Sequence, residues 1–284
     1  MIKPRKKKKL PPIEFIPILL LFLLFYFIPL MTSWTYLTKG STDILSSLRS
    51  MLHYLCQTAQ NQYFILGLRN LLEMAAIQTG LVMIIALIIA ICLWKSAHPQ
   101  VFIKLLIIPS FIPSAGIALL WKGFQNDIES ILIIHLSQNL EGLISKVMLI
   151  LLFIWERCGL SALVIFGAIK QQPKSCFEAA RIDGANEWQL CRRMIIPMIS
   201  PVLCGTSVYI LSLSFRVYRE SWLIYGNYPN TSVYTLMNYM RNKFEKLNYS
   251  EVASSSVLLM LNLCIIAVAG LIIWRFWGKY EKKI

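Results

Sequence analysis

The sequence predicts an all-α polytopic membrane protein with six transmembrane helices. Three observations carry that expectation. Apolar residues make up 57 % of the chain and the mean hydropathy is +0.60, above the roughly 45–50 % apolar share of soluble domains. Those residues gather into six runs, each long enough, at about 1.5 Å per helical residue, to cross a hydrocarbon layer about 30 Å thick. The basic residues, which give a formal net charge of +14, sit at the edges of the runs. They form no aromatic-interleaved patch, so they read as topogenic charge and exclude a nucleic-acid surface.

The runs place spans near Glu14–Leu37, Asn70–Trp94, Val101–Trp121, Leu143–Ile169, Ile195–Leu213 and Val252–Trp274. A basic tail, residues 1–13, precedes this six-span domain of residues 14–274, and a second tail, 275–284, follows it. The first run is too long and aromatic for a cleavable signal, and no small-residue cleavage site follows it. The basic stretch "KPRKKKK", Lys3–Lys9, before it suits both orientation and anionic lipid. With the amino terminus inside, 17 Lys and Arg fall on the inner side and ten outside, so both termini are expected in the cytoplasm. In the third span Pro109 and Pro113 remove two backbone donors about one turn apart; the resulting kink fits a pathway wall and plain packing equally. Trp34, Trp94, Trp121, Trp274 and Trp277 recur where apolar meets polar and read as interfacial anchors. Two sequons, at Asn230 and Asn248, are expected outside, where such triplets arise easily.

Seven cysteines and three histidines show no C-x-x-C and no paired-histidine spacing, so neither a disulfide framework nor a metal site is expected. No repeat period stands out.

Leading from the fourth run into the fifth is a polar passage, "EAARIDGANEWQLCRRMIIP", Glu178–Pro197, most of it in an expected cytoplasmic loop of residues 173–194. Ser175 followed by Glu178 reads as a capping box opening a short helix after Pro173, and Gly184 reads as its left-handed stop. Asn186 with Gln189 then caps a second helix leading to Pro197. Two short helices hinged at a glycine make a compact knob. On it Ala179 and Ala180 let another protein come close, Phe177 and Ile182 offer apolar contact, and Glu178, Arg181 and Asp183 offer charge. Glu178 and Asp183 could be read as an acid–base pair, but they lie five apart with no nucleophile and no phosphate loop beside them, so no catalytic residue is assigned.

This passage resembles the EAA loop of permease subunits of type I ABC importers. Glu178, Ala179, Ala180, Gly184 and Pro197 match its fixed positions, while Met194 and Ile196 stand where Ile and Leu are usual. "IDGA" at Ile182–Ala185 looks like the carbohydrate-uptake branch, the maltose and glycerol-phosphate type. Arg69-Asn70, "IIPSFIPS" from Ile107, Trp155 with Gly159, and "YPNTSVYTL" from Tyr228 agree from about residue 60 onward. The resemblance implies the type I ABC importer permease fold and a multi-pass subunit of the cytoplasmic membrane. It also implies a second permease subunit, cytoplasmic ATP-binding subunits carrying ATP and Mg, and an extracytoplasmic solute-binding protein, with no cofactor on this chain. In that setting Phe177, Glu178, Ala179, Ala180, Asp183, Gly184 and Pro197 couple the spans to the ATPase, with Glu178 facing one of its basic residues. The absence of a G-x-x-x-x-G-K-[ST] loop agrees that the energy comes from a partner.

Charges inside spans default to function. Glu156 and Arg157 fall mid-span in the fourth run, and Glu73 lies near the outer end of the second. Adjacent residues on a helix point about 100° apart, so Glu156 and Arg157 are expected to answer different partners; an interhelix ion pair and a solute contact both fit. Arg216, Tyr218, Arg219 and Glu220, in "FRVYRESW" at the expected outer end of the fifth span, suit a solute path or gate, a docking face for the binding protein, or a solvated cluster. The leading expectation is import of a carbohydrate or related polar solute. The alternatives are the same architecture for a non-sugar solute, or a membrane scaffold or enzyme.

Overall fold

The computed structural model describes Pro17, Leu20, Leu21 and residues 23–38, 44–132 and 138–281. The basic tail of residues 1–13 and the start of the first expected span lie outside the described residues. Among the described residues all regular structure is helical. In chain order the helices are α1 (Ile28–Thr38), α2 (Ile44–Ala59), α3 (Gln62–Lys95), α4 (Pro99–Ile107), α5 (Ser114–Leu132), α6 (Gln138–Lys170), α7 (Lys174–Ile182), α8 (Glu187–Leu190), α9 (Ser200–Ser214), α10 (Tyr218–Tyr225), α11 (Leu236–Glu245) and α12 (Tyr249–Glu281). Among the described residues four stretches are long and apolar enough to cross a membrane: Gln62–Lys95, Glu141–Lys170, Ser200–Tyr225 and Tyr249–Ile266. They match the second, fourth, fifth and sixth expected spans.

The third expected span is not one rod. Residues Pro99–Phe111 and Ser114–Gln125 meet at 94°. Pro109 sits in a 3-10 turn, Ile108–Phe111, and Pro113 stands just before α5. Two missing donors and two rings this close leave the helical ladder no way through, so the expected kink becomes a corner. The fifth span is longer than the expected Ile195–Leu213. After a brief turn at 215–217 the chain re-enters helix as α10, so the charges of "FRVYRESW" lie within the span and not past its end.

The chain divides into two compact units, residues 1–65 with 240–284, and residues 66–239. In the first, α12 packs on α1 and α2. Thr58 and Ser254 hydroxyls meet at 2.5 Å, and the rings of Tyr36 and Tyr249 lie 5.3 Å apart. Asn248 opens α12 as its cap: its Oδ1 accepts from the Glu251 backbone N–H and its Nδ2 donates to Glu251 Oε1 at 2.7 Å. Its side chain is thus spent on a helix start.

In the second unit α6 is the central helix. The cluster Ala86, Ala90, Leu93, Ala162, Ile165, Phe166 and Ile169 joins α3 to α6, and the alanines let the two backbones approach closely, as small residues do between membrane helices. A second cluster, with Met74, Val82, Leu149, Phe153 and Ile210, joins α3, α6 and α9. The corner formed by α4 and the 3-10 turn packs on α6 at Gly159, where a Cβ would stand 1.8 Å from the Leu106 carbonyl oxygen. Beside it Ser110 Oγ donates to the Glu156 carbonyl at 2.7 Å. On the far side of the corner α10 packs on α5, where Tyr225 donates to Gln125 Oε1 at 2.9 Å.

Candidate functional site

The knob forms as two short helices. α7 begins at Lys174 with Pro173 as its cap and no side-chain capping bond, so the expected Ser175–Glu178 box is not made. Proline's fixed φ starts the helix two residues early, and Ser175 ends inside the first turn, where it cannot cap. The stop is as expected. Gly184 has φ +84°, and the Ala185 and Gly184 N–H groups donate to the carbonyls of Ala180 (3.0 Å) and Arg181 (3.1 Å), a complete Schellman closure. Asp183 closes α7 by donating its N–H to the Ala179 carbonyl at 3.0 Å. The Asn186 box is complete: its Oδ1 accepts from Gln189 N–H at 2.8 Å, and Gln189 Oε1 accepts from Asn186 N–H at 3.0 Å.

Phe177 corrects the sequence expectation. It is only 3 % exposed and meets Trp94 edge-on, 5.1 Å between ring centroids, so it roots the knob and offers no surface to a partner. Helical spacing alone cannot say which apolar residue of an amphipathic turn faces its own protein. Leu190, Ile195 and Ile199 are buried in the same cluster. Ala180 is half-buried against that cluster, and Glu178, Ala179, Asp183 and Gly184 are exposed. Ile182 at 87 % and Trp188 at 69 % exposure form the apolar part of the free surface. Among the described residues none forms an ion pair with Glu178.

Three residues that sequence reasoning did not assign here complete the root: Trp94, Lys95 and Glu187. Lys95 Nζ lies 2.7 Å from Glu187 Oε2, Arg181 Nη2 lies 3.4 Å from Glu187 Oε1, and the Arg181 guanidinium sits 5.8 Å from the Trp94 ring centroid. The hydrogen bond from Lys95, reinforced by the charges of Lys95 and Arg181, holds the Glu187 carboxyl below its ordinary range. Trp94 therefore does more than mark an interface: it receives both Phe177 and Arg181. The one cue in the sequence was an acid in the first turn after the Asn186 cap, where a helix dipole favours one.

Pro197 is exposed in a three-residue helical turn, Ile196–Met198, and is preceded by a π turn, Cys191–Ile195. Its missing N–H and its ring force the turn before it to widen. The path from knob to α9 is thus jointed at Pro197 and again at Ile199, whose N–H nonetheless donates to the Ile195 carbonyl at 3.1 Å.

The charges within the spans form a second cluster. Arg157 Nη2 lies 2.7 Å from Glu156 Oε1, so the neighbours pair with each other, contrary to the expectation of separate partners. The guanidinium's long stem curls back across the 100° that separates the two Cβ directions. Glu156 is 5 % and Glu220 7 % exposed. Glu220 on α10 is close enough to both residues for their charges to interact. Glu156, Arg157 and Glu220 therefore lie within reach of one another's charge, and Arg219 acts on Glu220 as well. Arg216 and Arg219 are exposed and Tyr218 is half-buried. Glu73 is held by Lys146 at 2.7 Å, beside a cavity lined also by Arg69, Asn70 and Thr231. Among the described residues no group of His, Cys, Asp and Glu is placed to hold a metal ion.

Comparison with known proteins places this geometry. The chain is 26 % identical over 234 residues to the osmoprotective compounds uptake permease protein GgtC of Synechocystis, covering 78 % of this chain and 82 % of that one. It is 28 % identical over 242 residues to the sn-glycerol-3-phosphate transport system permease protein UgpA of Yersinia pestis, covering 80 % and 79 %. The crystal structure of a bacterial alginate ABC transporter, in complex with its alginate pentasaccharide-bound periplasmic protein, contains a chain of the same fold at 16 % identity. The TM-score is 0.74, with 90 % of each chain covered. The sequence model of one family matches residues 83–276, a span that includes α6, the knob, the buried charge cluster and most of α12. The chain belongs to the family of binding-protein-dependent transport system inner membrane components.

Proposed function

We propose that this chain is one of two permease subunits that pass a carbohydrate or related polar solute across the cytoplasmic membrane by alternating access, driven by ATP hydrolysis on separate cytoplasmic subunits. A solute-binding protein outside delivers the cargo. GgtC, UgpA and the alginate transporter, named for osmoprotective compounds, sn-glycerol-3-phosphate and an acidic polysaccharide, support a carbohydrate or related polar cargo. The periplasmic protein seated on the alginate transporter supports the delivery partner. ATP and Mg belong to the ATPase in this reading, and both termini and the knob face the cytoplasm.

The observation that carries the reading is the division of the knob into a buried root and a free cap. Phe177, Leu190, Ile195 and Ile199 tie it into the α3–α6 core, while Glu178, Ala179, Asp183, Gly184 and Ile182 present charge, small residues and one large apolar side chain outward. A rigid element with two positions that a partner can bias is what coupling requires. Glu178 then pairs with a basic residue of the ATPase. Glu156, Arg157, Arg216, Tyr218, Arg219 and Glu220 line the solute path or its gate, since an exposed arginine on a membrane span needs a watery cavity or a polar subunit face.

The test is Gly184→Val. A β-branched residue at φ +84° is strained, while the buried root is untouched. The variant should insert and accumulate normally, and the complex should hydrolyse ATP without taking up solute. Uptake at the normal rate would remove the knob from the mechanism.

A further inference from the structure

We propose that the cavity beside the knob binds the phosphate headgroup of an anionic phospholipid whose acyl chain lies along α3. The cavity is about 350 Å³ and is lined by Trp94, Lys95, Lys174, Phe177, Glu178 and Arg181. Its lining holds three cations and one carboxylate. Glu187 engages Lys95 and one Arg181 nitrogen, but Lys174 makes no ion pair among the described residues, and the guanidinium keeps further donors for an incoming anion. The local balance stays positive after the protein's own pairs are counted.

The depth of the cavity selects the source of the anion. Lys95 is the last residue of a 34-residue apolar helix, so the cations stand where a span leaves hydrocarbon, the level of lipid phosphates. Trp94 in the lining suits that level, since tryptophan favours the headgroup zone.

The face of α3 below the cavity supplies the second half of the site. Ile77, Leu81, Ile84 and Ile88 are all exposed. At 100° per residue they fall within about 60° of one another and in line with Lys95. A phosphate group alone, or an acidic side chain of a partner protein, would use the cations and leave this stripe idle. A diacyl phospholipid uses both, and basic pockets at the ends of transmembrane helices are where anionic headgroups collect. The inference needs α3 to be a span but not the assignment of either face as cytoplasmic, so it stands or falls separately from the coupling reading.

The full chain, with whatever subunits co-purify, is exchanged into phosphatidylcholine micelles containing phosphatidylglycerol, and the phosphatidylglycerol retained is read by native mass spectrometry. Lys174→Glu is the test variant. The residue is exposed at the first position of α7, where an acid suits the helix dipole, so folding is not at risk. Lys104→Glu, an equal charge change at an exposed site on α4, is the control. Retention should fall at least about fivefold in the first and stay unchanged in the second. Equal retention in both variants, or equal loss in both, overturns the site. Stripping of the lipid by excess inorganic phosphate overturns it in favour of a soluble phosphate ligand. Unchanged retention with loss of a co-purifying subunit overturns it in favour of a protein partner.

Discussion

Phe177 stands edge-on to Trp94, ring centroids 5.1 Å apart and planes at 68°, so the short helix that carries the exposed Glu178 is fastened to the end of α3 by an aromatic contact. The knob is therefore seated on α3 as well as chained to α6 and α9, and a push on it reaches three helices. Phe177→Ala should remove that seat at a cost of about 3–5 kcal/mol, as buried Phe truncations do. Thermal unfolding of the purified protein should register the loss. Phe177→Leu, which keeps most of the volume, should recover most of it; equal damage from both variants would mean that the seat depends on ring geometry and not on filled space.

Glu187 gives the same joint a pH dependence. Its carboxyl titrates below its ordinary value near 4.5 because Lys95 and Arg181 hold the ionised form. A carboxyl depressed in the folded state contributes stability that is complete above its unfolded value and is lost as pH falls through the folded one. The contribution should thus be flat at neutral pH, begin to fall below about pH 4.5 and vanish as pH passes through the lower folded value. The pair is half exposed, so solvent screening keeps its size small. Glu187→Gln should make the melting temperature fall less steeply with acid in that window and leave its slope at neutral pH unchanged.

How much of this was legible depended on whether the signal was local. Gly184 and the Asn186–Gln189 box were readable because a left-handed stop and a cap are settled by a few neighbouring residues. The long helices at the second, fourth and sixth expected spans were readable because length and apolarity suffice to mark such a helix. Phe177 was misassigned because its partner, Trp94, lies more than eighty residues earlier and periodicity cannot name a facing helix. Glu156 and Arg157 were separated on Cβ direction alone, which ignores how far a guanidinium can fold back. Helices α2 and α11 carry no expectation from the sequence, since neither is apolar enough to register as a span. The 94° corner exceeded the expected kink because two prolines one turn apart act together, each removing the bond that would have repaired the other.

Gly159 reverses the usual rule for a helical glycine. Replacing glycine by alanine inside a helix ordinarily gains about 1 kcal/mol, and Gly80 and Gly167, with open space around their Cβ positions, should follow it. At Gly159 a Cβ would stand 1.8 Å from the Leu106 carbonyl oxygen, and backbone cannot swing aside as a side chain can. Gly159→Ala should push α4 away from α6 and abolish accumulation of folded protein, while Gly80→Ala and Gly167→Ala accumulate normally. Expression followed by size-exclusion chromatography in detergent distinguishes these outcomes.

Leu247 is the one described non-glycine residue with positive φ, at 58°. It ends α11 as glycine normally would: its N–H donates to the Phe244 carbonyl at 2.9 Å and the next N–H, Asn248, to Lys243 at 3.0 Å. A left-handed leucine costs about 1–2 kcal/mol, and its side chain is exposed, so little packing offsets that cost. Leu247→Gly should raise stability by up to about 1 kcal/mol after the greater chain entropy of glycine is subtracted. A lower melting temperature would show instead that the exposed leucine is held by a surface outside this chain.

The buried charges call for a variant that separates holding the fold from handling solute. Arg157 is the sole cation shown pairing with the buried Glu156, and Glu220 lies within reach of its charge. Arg157→Met keeps much of the side chain's length and leaves the buried Glu156 without its ion-pair partner, which costs about 3–5 kcal/mol when one partner of a buried pair is removed. Protonation of the carboxylates would relieve part of that, so the loss should shrink when unfolding is measured at acid pH. Glu220→Gln added to Arg157→Met should recover part of the loss, because it removes the like charge that acts on the stranded Glu156. Arg216 is exposed on the same span, and Arg216→Met should move stability by no more than about 0.5 kcal/mol while changing the rate of solute uptake. If Arg157→Met proves as stable as the parent and only uptake changes, the three charges act on the solute and not on each other, and the pairing between Glu156 and Arg157 is one position of a moving group.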